Sequence, residues 1–211
     1  MSATSYVQGQ AGRIEVRLTL PTQALAQQVA VVCHPHPLFG GTMDNKVVTT
    51  VVRAFKELGI ACVSFNFRGV GHSEGKHDNA QGEVDDLLAV IAWAKQQTQA
   101  SQLYLAGFSF GSYVAAAAVS RLASTHMSLK KLYLLAPPVH HYPFNELVLP
   151  TQQSLIIQGD ADEVVPAQQV FDWAAQQQLP IINFEGCSHF FHGRLVELRQ
   201  SLLENLYASL G

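Results

Sequence analysis

The chain has 211 residues, 48% of them hydrophobic, and a formal net charge of -3. That length and apolar content suffice for one buried core, and no linker rich in Pro, Ser or charge divides it, so residues 1–211 are read as a single domain. The acidic balance argues against a nucleic-acid surface, because the few basic residues, among them Lys130, Lys131, Arg194 and Arg199, form no dense stripe.

In chain order, the opening MSATSYVQGQAGR has no basic start followed by an apolar core of signal-peptide length, and no later apolar run approaches membrane-helix length. The expectation is a soluble, cytoplasmic protein with no membrane partner. Ile14 to Leu20 alternates apolar and polar residues and predicts an exposed antiparallel edge strand placed before a parallel sheet. Apolar and β-branched runs then predict strands at Val29 to Cys33, Ile60 to Phe65, Leu103 to Ala106, Leu132 to Ala136, Leu155 to Gln158 and Ile181 to Phe184. Helical spacing predicts helices at Lys46 to Leu58, Glu83 to Gln97, Ser109 to Ala123, Ala167 to Gln177 and Arg194 to Leu210. Strands alternating with helices mean an α/β fold, a mostly parallel sheet covered on both faces. Ligands of such sheets bind at the carboxyl ends of the strands, so the loops beginning at Cys33, Phe65, Ala106, Ala136, Gln158 and Phe184 should share one rim. Cys33, Cys62 and Cys187 are odd in number and show no CxxC pairing, which makes them small buried thiols.

Chemistry concentrates on that rim. Gly107 to Gly111 reads GFSFG between a strand and a helix, a GxSxG elbow where small residues allow a tight turn and push the Ser109 hydroxyl outward. The competing reading is an ordinary helix start with Ser109 as N-cap. A serine nucleophile needs a base and an acid to orient it, and both follow in order. GDADEVVP after the strand Leu155 to Gln158 offers Asp160 and Asp162, and Asp162, further past the strand end, is taken as the acid. At least one of the two is expected to bond its own turn. EGCSHFFHG supplies His189 as the base, with His192 read as a capping or surface residue. An oxyanion site needs two N–H groups. Phe110, directly after the serine, is one candidate, and the loop HPHPLFGGTMDNK supplies the other from His36 or Leu38, since Pro35 and Pro37 have no N–H. The alternative use of His34 and His36 as metal ligands is weak, because no cysteine or carboxylate cluster stands nearby. No metal or organic cofactor is implied.

The segments HPHPLFGGTMDNKVV, FNFRGVGHSEG, GFSFGS, GDADEVVP and SHFFHG resemble those of small, cap-less α/β-hydrolases, in particular dienelactone-hydrolase-like and esterase-like members, over almost the whole chain. The resemblance implies an α/β-hydrolase fold without a lid domain and a serine hydrolase with Ser109, Asp162 and His189 as its triad. It places His34 where the superfamily's HGxP loop has its histidine, which favours His36 as the loop donor. Pro35 stands where that loop usually has glycine, and Asn66 where many relatives have aspartate before RGxGxS, a change expected to touch loop anchoring rather than chemistry. Arg68, Gly69, Gly71 and Ser73 read as a structured rim loop.

The connection from Pro137 to Gln152, about fifteen residues, leaves no room for a lid, and His140, His141, Tyr142 and Phe144 on it are candidates for the entrance. The expected substrate is a small ester or related acyl compound. A peptidase or thioesterase with the same triad, or an interaction protein that keeps the fold without turnover, are the rival readings.

Overall fold

In the computed structural model, which describes residues 2–210, alternate residues of strand β3 (Gln28–Cys33) enter two different cores. Val29, Val31 and Cys33 join one apolar cluster, while Ala30 and Val32 join the other. A strand apolar at every position is therefore the correct sequence signal for a sheet covered on both faces.

The other elements arrange themselves around this strand. Strands β1 (Ser2–Gly9) and β2 (Gly12–Thr19) form a hairpin, followed after β3 by α1 (Lys46–Glu57), β4 (Ala61–Phe65), α2 (Gln81–Thr98), β5 (Gln102–Phe108) and α3 (Phe110–Ala118). Then come β6 (Ser128–Leu135), β7 (Ser154–Gly159), α4 (Ala167–Gln176), β8 (Ile181–Phe184) and α5 (Leu195–Leu210). The sheet order is β1-β2-β4-β3-β5-β6-β7-β8, with the six strands from β3 onward parallel to one another. Leu87, Val90 and Ile91 of α2, Val114 of α3 and Trp173 of α4 cover one face. Val51 and Phe55 of α1 and Leu198 and Leu202 of α5 cover the other. No helix among the described residues is long and apolar enough to cross a membrane.

One expectation is corrected. The segment read as the exposed edge, Ile14 to Leu20, is β2 and lies second in the sheet, paired antiparallel to β4 through Val16 and Phe65. Ile14 and Val16 are buried accordingly, and the edge is β1, whose Val7 pairs with Ile14. The sequence SATSYVQG has no apolar run to announce a strand; its partner's backbone supplies the ladder. The alanine-rich helix is also shorter than expected, since α3 ends at Ala118 and the chain continues as a 3-10 segment over Val119–Thr125. Cys33, Cys62 and Cys187 are buried free thiols, and burial pushes the pKa of the first two up and out of the reactive range.

Candidate active site

Two glycines make the turn after β5 possible. A Cβ on Gly107 would lie 2.1 Å from the Gly111 carbonyl oxygen, and one on Gly111 would lie 2.4 Å from the His34 carbonyl oxygen, so neither position admits a side chain. Between them Ser109 takes φ 53° and ψ -122°, a left-handed conformation that non-glycine residues rarely adopt. Its N–H donates to the Leu135 carbonyl (2.8 Å) and its carbonyl accepts from the Ser112 hydroxyl (2.6 Å), which holds the strained residue from both sides. The Ser109 hydroxyl makes no capping bond to α3. The N-cap reading therefore fails, and the hydroxyl is free to point elsewhere.

It points at a histidine from the far end of the chain. Ser109 Oγ lies 3.1 Å from His189 Nε2, and His189 Nδ1 lies 2.8 Å from Asp162 Oδ2. A carboxylate can only accept, so Nδ1 carries the ring proton and Nε2 is left to accept from the serine hydroxyl. Asp162 is held in turn by Gln158 Nε2 (3.0 Å) on Oδ2 and by the N–H groups of Val164 (2.8 Å) and Val165 (2.7 Å) on Oδ1. Burial works against its ionised form. The hydrogen bonds from His189, Val165 and Val164 outweigh that and hold the carboxyl below the usual aspartate range. Asp160 turns away: it accepts from Gly186 N–H (2.6 Å) and Asn183 Nδ2 (3.2 Å), and so ties the β7 turn to the loop after β8. His192 is exposed, with its ring beside that of Phe190.

The loop after β3 brings its donors to the same place. His34 is fully buried, with Nδ1 2.6 Å from the Pro35 carbonyl oxygen and Nε2 accepting from Phe67 N–H at 3.0 Å. Burial lowers its pKa to about 4, so the ring is neutral. Leu38 N–H is directed at the His36 ring, whose Nδ1 accepts it at 3.2 Å. The N–H groups of His36 and Phe110 have no acceptor among the described residues, which leaves them as the free pair beside Ser109.

A cavity of about 190 Å³ adjoins Ser109, walled by His36, Phe39, Phe110, Tyr142, Val164 and Val165 and by Pro138, His140 and His141. Of the four entrance candidates, Phe144 does not reach it. Its ring is buried against Tyr113 and Trp173, because the 3-10 turn Phe144–Glu146 directs it into the core. Tyr142 stacks on Tyr113 at 4.8 Å, and burial, then Glu83 and Tyr113, push its hydroxyl up to about 12, so it remains a neutral wall. A larger open groove of about 930 Å³, lined by Pro21, Leu25, Arg53, Lys56 and Arg199 among others, opens beside the amino ends of the parallel strands. None of the candidate site residues lines it.

The rim loop after β4 serves as an anchor. Arg68 bonds Asp86 (2.7 and 2.8 Å) and the Gly82 carbonyl (2.7 Å), while Ser73 donates to the Asn66 carbonyl and accepts from Glu15 N–H. Asn66 itself donates to Glu15 Oε2 (2.7 Å) and accepts from Met43 N–H (2.9 Å). An aspartate there would face the Glu15 carboxylate, which explains the amide. The sequence had no signal for His77 or Glu83, which lie beneath the His36 and Phe110 rings, or for the support Gln158 gives Asp162, because none of them belongs to a motif with fixed spacing.

Residues 32–150 match the family described as the alpha/beta hydrolase fold. A serine hydrolase of this kind from Xanthomonas campestris, described as lacking a lid, is 42% identical and superposes with a TM-score of 0.90 over 98% of this chain and 94% of its own. A serine hydrolase homologue from Coxiella burnetii is 45% identical over 97% of each chain with a TM-score of 0.86. An uncharacterised protein of Rickettsia prowazekii is 36% identical, covering 95% of this chain and 87% of its own.

Proposed function

The chain belongs to the α/β-hydrolase family, as a small member without a lid, and on that premise we propose that it hydrolyses a short-chain carboxylic ester through an acyl-enzyme on Ser109. The observation that carries the reading is the continuous path from the Ser109 hydroxyl to His189 and on to Asp162, at 3.1 and 2.8 Å. Ser109 Oγ attacks the acyl carbon while His189 Nε2 takes its proton, and Asp162 stabilises the imidazolium that forms. The carbonyl oxygen becomes negative in the tetrahedral intermediate and is met by the N–H groups of His36 and Phe110. Collapse expels the alcohol, which receives the proton from His189. Water then attacks the acyl-enzyme with His189 again as base, releasing the acid and restoring Ser109.

The cavity supports a small acyl group. Each methylene that finds no wall forgoes roughly 0.8 kcal/mol of burial, and about 190 Å³ walls only a short chain. One sheet of eight strands with helices on both faces supports residues 1–211 acting as one domain. The test is a panel of activated esters, thioesters and peptides together with a fluorophosphonate probe. Preferential ester turnover and labelling that vanishes in Ser109→Ala are expected. A thioester or peptide preference would move the proposal to those rivals, and labelling that persists in Ser109→Ala would remove it.

A further inference from the structure

The two N–H groups assigned to the oxyanion site sit on residues whose side chains meet a third ring. His36 and Phe110 pack on each other with ring centroids 5.0 Å apart, and His77 packs on both, at 4.9 Å from His36 and 5.4 Å from Phe110. His77 hangs from the loop between β4 and α2, so this triangle joins three rim segments that are remote in sequence. Behind it lies Glu83, in the first turn of α2 and completely buried. Glu83 Oε1 is 2.7 Å from His77 Nδ1, a contact that is short without hydrogen-bond alignment, and it accepts Asp78 N–H at 2.9 Å. Its Oε2 is buried without a hydrogen-bond partner among the described residues. A carboxyl left half-satisfied in a core is destabilising, and the place it occupies fixes a ring that packs on the side chains of both oxyanion donors and itself stays out of the cavity lining.

We propose that His77, held from behind by Glu83, is a positioning residue that fixes the His36 and Phe110 N–H groups at the oxyanion site. The proposal rests on the hydrolase reading for its kinetic consequence and on packing alone for its structural one. The ends of the loop carrying His36 are pinned to the segment after β4, where His34 accepts from Phe67 N–H and Asn66 from Met43 N–H, but its middle is held by short internal bonds, with Phe39 and Gly41 N–H donating to the His36 carbonyl at 3.2 and 3.0 Å. Those bonds curl the loop on itself but do not hold it against the nucleophile. The ring of His77 supplies that cross-link. Oxyanion donors act through preorganisation, so a donor that is loosened rather than deleted should cost less than the roughly 10²–10³-fold of a deleted one.

The experiment is a double-mutant cycle of His77→Ala and His36→Ala, the second removing the ring and keeping the N–H. Activated-ester turnover is measured beside amide hydrogen exchange at Phe39 and Gly41. His77→Ala should lower kcat roughly 10- to 100-fold with KM nearly unchanged, and the double variant should lose much less than the product of the single losses. Exchange at Phe39 and Gly41 should quicken in His77→Ala. Glu83→Gln, which keeps the side chain's size, should shift both readouts the same way by less. Losses that multiply, or exchange that does not change, would overturn the proposal. Quickened exchange in a protein that turns over no ester and takes no probe would instead remove the hydrolase reading and leave the brace standing.

Discussion

Mild acidification should destabilise this protein through His34. The ring is fully buried, and burial lowers its pKa from 6.5 to about 4, while in the unfolded chain it returns to 6.5. Between those values the unfolded state binds a proton that the folded state refuses. The stability His34 contributes is therefore present in full above pH 6.5 and is lost as the pH falls toward 4. From pH 7 to pH 5 the linkage relation gives a loss of about 2 kcal/mol from this one residue. The carboxylates held below their usual range, Asp162 and Glu197 among them, act at lower pH. The assay is urea unfolding of wild type and His34→Gln at both pH values, since glutamine can still donate to Pro35 and accept from Phe67 but cannot titrate. His36 and His140, whose pKa values are also lowered by burial, are common to both proteins and cancel. Wild type should lose about 2 kcal/mol more than the variant across this interval. Equal losses in the two proteins would refute the argument.

The proposed triad should behave as a unit: Ser109→Ala and His189→Ala each lower ester turnover by about 10⁴-fold or more, and the double variant adds little, as steady-state kinetics would read. Asp162→Asn should cost roughly 10⁴-fold in kcat, whereas Asp160→Asn, which loosens the loop at Gly186, should show in thermal melting more than in rate; the reverse ranking would exchange their roles. Esters of acetate and butyrate should have higher kcat/KM than esters of palmitate, with no activation by a lipid–water interface. A kcat/KM that climbs steadily with chain length would mean a deeper site than the one bounded by Phe39, Tyr142 and Val164.

Strand ends made the centre of this site legible. Ser109, Asp162 and His189 each follow an apolar run directly, and a parallel sheet delivers such positions to one rim whatever the helices between them contribute. The HPHP loop narrowed its candidate donors for a different reason, since two prolines excluded two of its N–H groups at once. What the sequence concealed was whatever depends on a partner rather than on a pattern. Strand β1 has no apolar run, and pairing with β2 makes it a strand. Phe144 has the composition of an entrance residue and is turned inward by a single 3-10 turn. His77 and Glu83 gain their meaning only when the loop after β4 folds back under His36. The engagement of Leu38 N–H by the His36 ring, which favours His36 as the proposed donor, likewise depends on the direction of one ring nitrogen.

The φ of 53° at Ser109 sets selection for durability against selection for chemistry. A serine kept in that conformation costs on the order of 1–3 kcal/mol, and glycine would adopt it freely. Any effort to harden this protein by scoring substitutions for folding alone would therefore rank Ser109→Gly among its gains and return a sturdier chain without its proposed nucleophile. The same bias acts on drift: a copy of the gene released from its duty has a downhill route at this codon, so a glycine at the elbow of some future relative would mark a chain that kept the architecture and gave up the reaction.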